Sequence, residues 1–111
     1  MALMPLLNQH AGPLPLSVNF KAPSDGPATL VVSGSVWCQT ANQMIGISVQ
    51  LDGHTIGQAV IFSNLQATHR AVVPTYIPVK LTYGEHKLTL VAANAHTTSD
   101  YNDVYSIALD F

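Results

Sequence analysis

From Leu16 to the C-terminus apolar and polar residues alternate with a period of two, and no segment sustains the period of a helix. Successive side chains of a strand point to opposite faces, so each alternating run specifies a strand with one buried and one outward face. Leu16, Val18 and Phe20 alternate with Ser17, Asn19 and Lys21. After the breaker APSDGPA, Leu30, Val32, Val36 and Cys38 share a face with Gly34, while Thr29, Val31, Ser33, Ser35 and Trp37 take the other. Ile45, Ile47, Val49 and Leu51 alternate with Met44, Gly46, Ser48 and Gln50, and the run stops at Asp52-Gly53, a dipeptide suited to a type I′ hairpin turn. Ile77, Val79 and Leu81, then Leu88, Leu90 and Ala92, and finally Tyr105, Ile107, Leu109 and Phe111 continue the pattern. Seven or eight strands without a helix predict an all-β antiparallel sandwich.

Three places disturb the alternation. A two-residue turn at Asp52-Gly53 sets Val49 against Ile56 and Ile45 against Val60, but leaves Gln58 opposite Ile47 on the buried face. A bulge at Gly57 resolves the conflict by turning Gln58 outward and bringing Ala59 and Ile61 inward. Pro74 and Pro78 interrupt the run from His69 to Leu81, which places it at a sheet edge or a corner between sheets. Residues 1–15 contain Pro5, Pro13, Pro15 and Gly12 without a sustained period, and are read as an N-terminal arm ahead of a single domain at 16–111. Leu3, Met4, Leu6 and Leu7 would make a poor solvated tail, so the arm is expected to pack on its own domain or on a neighbouring subunit, the neighbour being the preferred reading.

A chain of 111 residues has room for one core. Its charged residues amount to 9%, against roughly 25% in an ordinary domain, so uncharged polar residues or other subunits must cover the surface. Lys21, Arg70, Lys80 and Lys87 are scattered and the net charge is -2, which argues against nucleic-acid binding. No apolar run approaches the ~20 residues of a membrane-spanning helix, so no membrane insertion is expected. MALMPLLNQHAGPLPL lacks the basic flank and cleavage site of a signal peptide. Cys38, the single cysteine, can form no intrachain disulfide and is expected in the core.

The sequence contains no G-x-S-x-G elbow, HExxH, P-loop or dinucleotide fingerprint, so no catalytic residue and no cofactor is assigned and the protein is read as non-enzymatic. Asp100, Asn102 and Asp103 in TTSDYND offer oxygen ligands for calcium, or they bond to nearby backbone and set a turn before the last strand. The turn is the preferred reading. His69 and His86 could share a metal if their strands are neighbours, but hydrogen bonds to backbone or to a carboxylate such as Glu85 are the simpler use of an imidazole, and no metal is assigned. Trp37 stands on an otherwise Thr/Ser face and marks a surface with a partner. It packs against the second sheet or an adjacent subunit, aided by Tyr76 or Tyr101, or it forms a sugar-stacking platform edged by Asn42, Gln43 and Asn102.

The stretch SGSVWCQTANQMIGISVQLDGHTIG resembles the central strands of the tumour-necrosis-factor and complement globular-head superfamily, and DVYSIALDF resembles its closing strand. HRAVVP, GEHKLTL and TTSDYNDVYSIALDF together look like a set of small bacterial and phage jelly-roll modules within that architecture. The resemblance covers about residues 16–111 and implies a TNF-like jelly roll of about eight strands that assembles as a homotrimer. The proteins resembled include receptor-binding ligands, lectin-like modules and virion surface components, and they supply no catalytic motif to carry over. Three classes follow. The first is a structural or binding subunit, such as a phage virion component, whose partners are copies of itself and other virion or surface proteins. The second is a carbohydrate-binding lectin or receptor-binding head, and the third an enzyme with no motif behind it.

Overall fold

The computed structural model describes residues 2–111. Nine strands follow in order: β1 (Leu3–Ala11), β2 (Leu16–Ala22), β3 (Gly26–Val36), β4 (Gln43–Leu51), β5 (His54–Ser63), β6 (Arg70–Ala71), β7 (Thr75–Leu81), β8 (Gly84–Ala92) and β9 (Val104–Asp110). No helix occurs among the described residues. The first sheet has the order β1-β9-β3, with β6 and β7 both pairing the far side of β3, and the second has the order β2-β8-β4-β5. Among the described residues all pairings are antiparallel, and β4 and β5 are the only consecutive strands that pair. The chain crosses repeatedly between two facing sheets, which is the jelly-roll form of an antiparallel sandwich.

The inward faces match the alternation. Leu30, Val32 and Val36 of β3, Ile45, Ile47 and Val49 of β4, Leu88 and Leu90 of β8, and Tyr105, Ile107 and Leu109 of β9 are buried, with Cys38 just beyond β3. Each large apolar side chain removed from water contributes about 1.5–3 kcal/mol, so these positions hold the sheets together. Asp52 and Gly53 both have positive φ, 51° and 87°, as the type I′ turn requires. Ile45 pairs with Ile61, Ile47 with Ala59 and Val49 with Gly57, and the register then shifts before Gln50 pairs with Thr55, leaving Ile56 as the extra residue of a bulge beside Gly57. Gln58 is exposed and Ala59 buried. A Cβ on Gly57 would lie 2.9 Å from Cδ1 of Ile77, so glycine there also lets β7 approach β5.

The segment expected to be an arm differs most from the sequence reading, because residues 3–11 form β1 at the edge of the chain's own first sheet, paired with β9. Register shifts between Pro5 and Leu7 and between Leu7 and His10 break the alternation, so that Leu6 and Leu7 are both half-buried against the core. Two bulges therefore hid a strand of regular function. Pro5 is tolerated because an edge strand need not donate from every residue. With the two-residue β6, this strand raises the count from about eight to nine.

The opposite end is locked by His86. Its Nδ1 donates to Asp52 Oδ2 at 2.6 Å and its Nε2 donates to the Thr82 carbonyl at 2.8 Å, while the ring stacks on Phe20 at 5.6 Å. A carbonyl and a carboxylate only accept, so both ring nitrogens carry protons and the imidazolium is the form that satisfies this geometry. Asp52 also accepts from the Lys87 N–H at 2.9 Å, which ties the hairpin turn to β8. The hydrogen bond to Asp52, aided by the one to Thr82, raises the His86 pKa above its ordinary value, and the same bond lowers that of Asp52.

A raised histidine contributes its stability fully below its unfolded pKa of 6.5 and loses it as pH rises through the higher folded value. The lowered Asp52 contributes above its unfolded 3.8 and loses it as pH falls. Urea unfolding should therefore show a loss of stability from mildly acidic to alkaline pH that is smaller in Asp52→Asn; identical pH profiles in the two proteins would dismiss the clamp.

Candidate functional site

The connections β3–β4, β5–β6 and β8–β9 meet at one end of the sandwich, where Trp37 bridges Thr98 through paired backbone hydrogen bonds of 2.9 and 2.8 Å. At its centre lies Asp103, which has 0% exposure. It precedes β9 in the inward phase shared with Tyr105, Ile107 and Leu109, so the strand's own alternation carries a carboxylate into the interior. Three donors satisfy it. Ser35 Oγ and His69 Nδ1 each donate to Oδ1 at 2.7 Å, and the Asp100 N–H donates to Oδ2 at 2.9 Å.

The loop around it is bonded to itself. Asp100 Oδ1 accepts from the Asn102 N–H at 2.8 Å, and the Asp103 N–H donates back to the Asp100 carbonyl at 3.1 Å. These are the turn-setting roles read from TTSDYND. The hydrogen bond to Asp103 raises the His69 pKa, partial burial opposes it, and the charges of Asp103 and Asp100 add to the rise. Beneath this network the buried Tyr105 hydroxyl makes no hydrogen bond, and desolvation pushes its pKa up to about 12 although the nearby Ser99 hydroxyl pulls the other way.

The arrangement has Ser, His and Asp, but in an order unsuited to nucleophilic catalysis. In a hydrolytic triad the imidazole lies between the hydroxyl and the acid, and here the acid lies between the hydroxyl and the imidazole. The Ser35 hydroxyl donates to a carboxylate that is itself held by the imidazole, so it lacks the imidazole partner of a hydrolytic triad. For a metal, His69, Asp100 and Asp103 place ligand atoms within 4.8 Å of one another, yet three donors already occupy most of the acceptor capacity of Asp103. His69 Nε2 and Asp100 Oδ2, 3.8 Å apart, are what is left. Two ligands fall short of the four typical of zinc and the six to eight of calcium.

The residues singled out from the sequence divide into two places. Trp37, Tyr101 and Asn102 belong to this end, with Asn42 in the connection that enters β4 and Gln43 as the first residue of that strand. The Trp37 ring lies against His69, with centroids 6.0 Å apart, and its Nε1 is buried without a partner. His69 of the same chain thus lies against the indole, where the second sheet or an adjacent subunit, aided by Tyr76 or Tyr101, was expected. Tyr101 is 79% exposed with its ring near Gly12, whereas Tyr76, 69% exposed, stands away on the outward face of the first sheet opposite Val31. His86 is held by Asp52 at the other end, so the two histidines share no site; the acceptors are the backbone carbonyl of Thr82 and the carboxylates of Asp103 and Asp52, in place of Glu85. Ser35 and the buried position of Asp103 were not legible in the sequence; the outward phase of Ser35 beside Trp37 was the only hint.

No family model and no curated protein matches the sequence. Solved structures do match in fold. A native family 35 carbohydrate-binding module from Clostridium thermocellum superposes with a TM-score of 0.57 and 15% identity, over 90% of this chain and 72% of that one. The tripod (BppUct-A-L) from the baseplate of bacteriophage Tuc2009 gives a TM-score of 0.62 and 15% identity, over 97% of this chain and 62% of that one. A beta-glucosidase from Paenibacillus barengoltzii gives 0.57 and 13% identity, over 97% of this chain but only 10% of that one. At such identities the similarity shows the jelly-roll fold and nothing finer.

Two outcomes follow from the Asp103 network. Asp103→Asn should cost about 2–4 kcal/mol in urea unfolding, because an amide group then faces the Asp100 N–H and the His69 ion pair is lost. A protonated imidazole quenches indole emission, so the fluorescence of Trp37 should rise as pH climbs through the elevated pKa of His69. His69→Asn should flatten that titration, and a flat curve in the unaltered protein would show that the two rings are not in contact.

Proposed function

We propose that this chain is a non-enzymatic recognition head that works in several copies, as a structural or binding subunit of a larger assembly such as a phage virion surface. The observation that carries this reading is the use made of Asp103: its acceptor capacity holds three segments of the loop end in place and puts a carboxylate, not the imidazole, beside the Ser35 hydroxyl. Loops fixed in this way present Tyr101 and Asn102 at little entropic cost on binding. The hollow at this end, lined by Gln39, Thr40, Ala95, His96 and Thr98, holds about 160 Å³, below the several hundred that enclose a cofactor. It suits one polar group of a large ligand. The likeness in fold to a phage baseplate tripod supports the virion setting.

A carbohydrate-binding lectin is the second reading, favoured by the exposed Tyr101 ring beside an Asn102 amide and supported by the likeness in fold to a carbohydrate-binding module. An aromatic face stacks on the apolar face of a sugar while amides and hydroxyls bond its rim. Single contacts of this kind are weak, so several copies acting together give avidity, three by the resemblance to the complement globular heads.

A glycan array probed with the intact protein separates the readings. The lectin reading expects binding that Tyr101→Ala abolishes without changing the melting temperature. With no glycan bound, the assembly reading expects a mass above that of one chain by light scattering at micromolar concentration, and a monomer that binds no glycan sinks both.

A further inference from the structure

The outward face of the first sheet plays no part in the loop end. Its strands run in register, with Tyr76 of β7, Val31 of β3 and Ala108 of β9 in one row and Pro78, Thr29 and Asp110 in the next. Lys80 follows one pair further along β7, opposite Pro27. On β1, Leu3 lies beside Asp110 and is 65% exposed. Of the four Lys and Arg and six Asp and Glu in the chain, only Lys80 and Asp110 lie on this face. The second sheet turns Lys21, Glu85 and Lys87 outward and is suited to water.

We propose that a second copy of the chain packs on this face, sheet against sheet, about a twofold axis running along β3. The inference rests on the self-association in the reading above and names the surface that carries it. Lys80 and Asp110 have opposite charges, flank β3 on opposite sides, and have no ion-pair partner within the chain among the described residues. An axis along β3 exchanges the two flanks and sets Lys80 of each copy one row beyond Asp110 of the other, about 7 Å along the strands and within reach of a lysine side chain, so one contact is made twice, as an isologous interface requires. The same operation lays the protruding Tyr76 over the small Ala108 of the other copy, since both share the row of Val31. Depleted charge around an exposed aromatic is the composition of an interface centre. Such a contact closes at two copies, in place of the three implied by the sequence resemblance.

Light scattering on the full chain at micromolar concentration tests it. The expected mass is twice 11.8 kDa. Tyr76→Lys, at an exposed position where circular dichroism should stay unchanged, is expected to raise the dissociation constant at least about tenfold. Lys80→Asp and Asp110→Lys should each weaken association, and the double exchange should restore it. A dimer indifferent to all these variants would place the contact elsewhere, and a mass of three chains would overturn the twofold axis; in both cases self-association itself survives. A single-chain mass for the unaltered protein would overturn the contact and self-association together.

Discussion

A carboxylate with no exposure to water organises the loop end of this protein. An ionised Asp103 in a buried position is costly unless its oxygens are met by donors, and here they are met from β3, from the approach to β6 and from its own loop. The cost of burying the charge becomes a constraint on three connections that would otherwise be independent. Removing any one donor would expose the others to the same desolvation penalty, so the loop end behaves as a unit. Immediately after Asp103 the last strand enters between β1 and β3 and supplies Tyr105, Ile107 and Leu109 to the core. The polar anchor and the apolar core are thus successive inward positions of one strand.

The same economy of charge shapes the surface. With so few ionisable residues, where they stand matters more than how many there are. Asp52 and His86 are committed to the turn end, Asp100, Asp103 and His69 to the loop end, and Lys21, Glu85 and Lys87 to the outward face of the second sheet. That leaves the outward face of the first sheet almost without charge, while Tyr101 and Asn102 remain exposed on a rigid loop. The proposed division, one sheet face for copies of the chain and the loop end for other molecules, uses two surfaces that are both fixed by the fold.

Much of the fold was legible because side-chain alternation is a local property. The inward sets of β3, β4, β8 and β9, the Asp52-Gly53 turn and the bulge beside Gly57 all follow from pattern and turn chemistry over a few residues. The strand at Leu3–Ala11 was not legible, since two bulges destroy the period and Pro5 mimics a linker. Of the site, Trp37, Tyr101 and Asn102 could be named from residue type, but the cover over Trp37 could not, because His69 reaches it only through the fold.

Residue types along the chain dictate the class of structure: strands, their buried faces, no intrachain disulfide and a shortage of charge. These are set by residue type and by contacts between near neighbours along the chain. Which strands pair, and hence that Asp103 meets Ser35 and His69 while Tyr76 stands across β3 from Ala108, was decided only in the tertiary structure. Apart from the β4–β5 hairpin, every pairing joins strands that are not consecutive, and a side-chain pattern says which face is buried without saying which strand lies alongside.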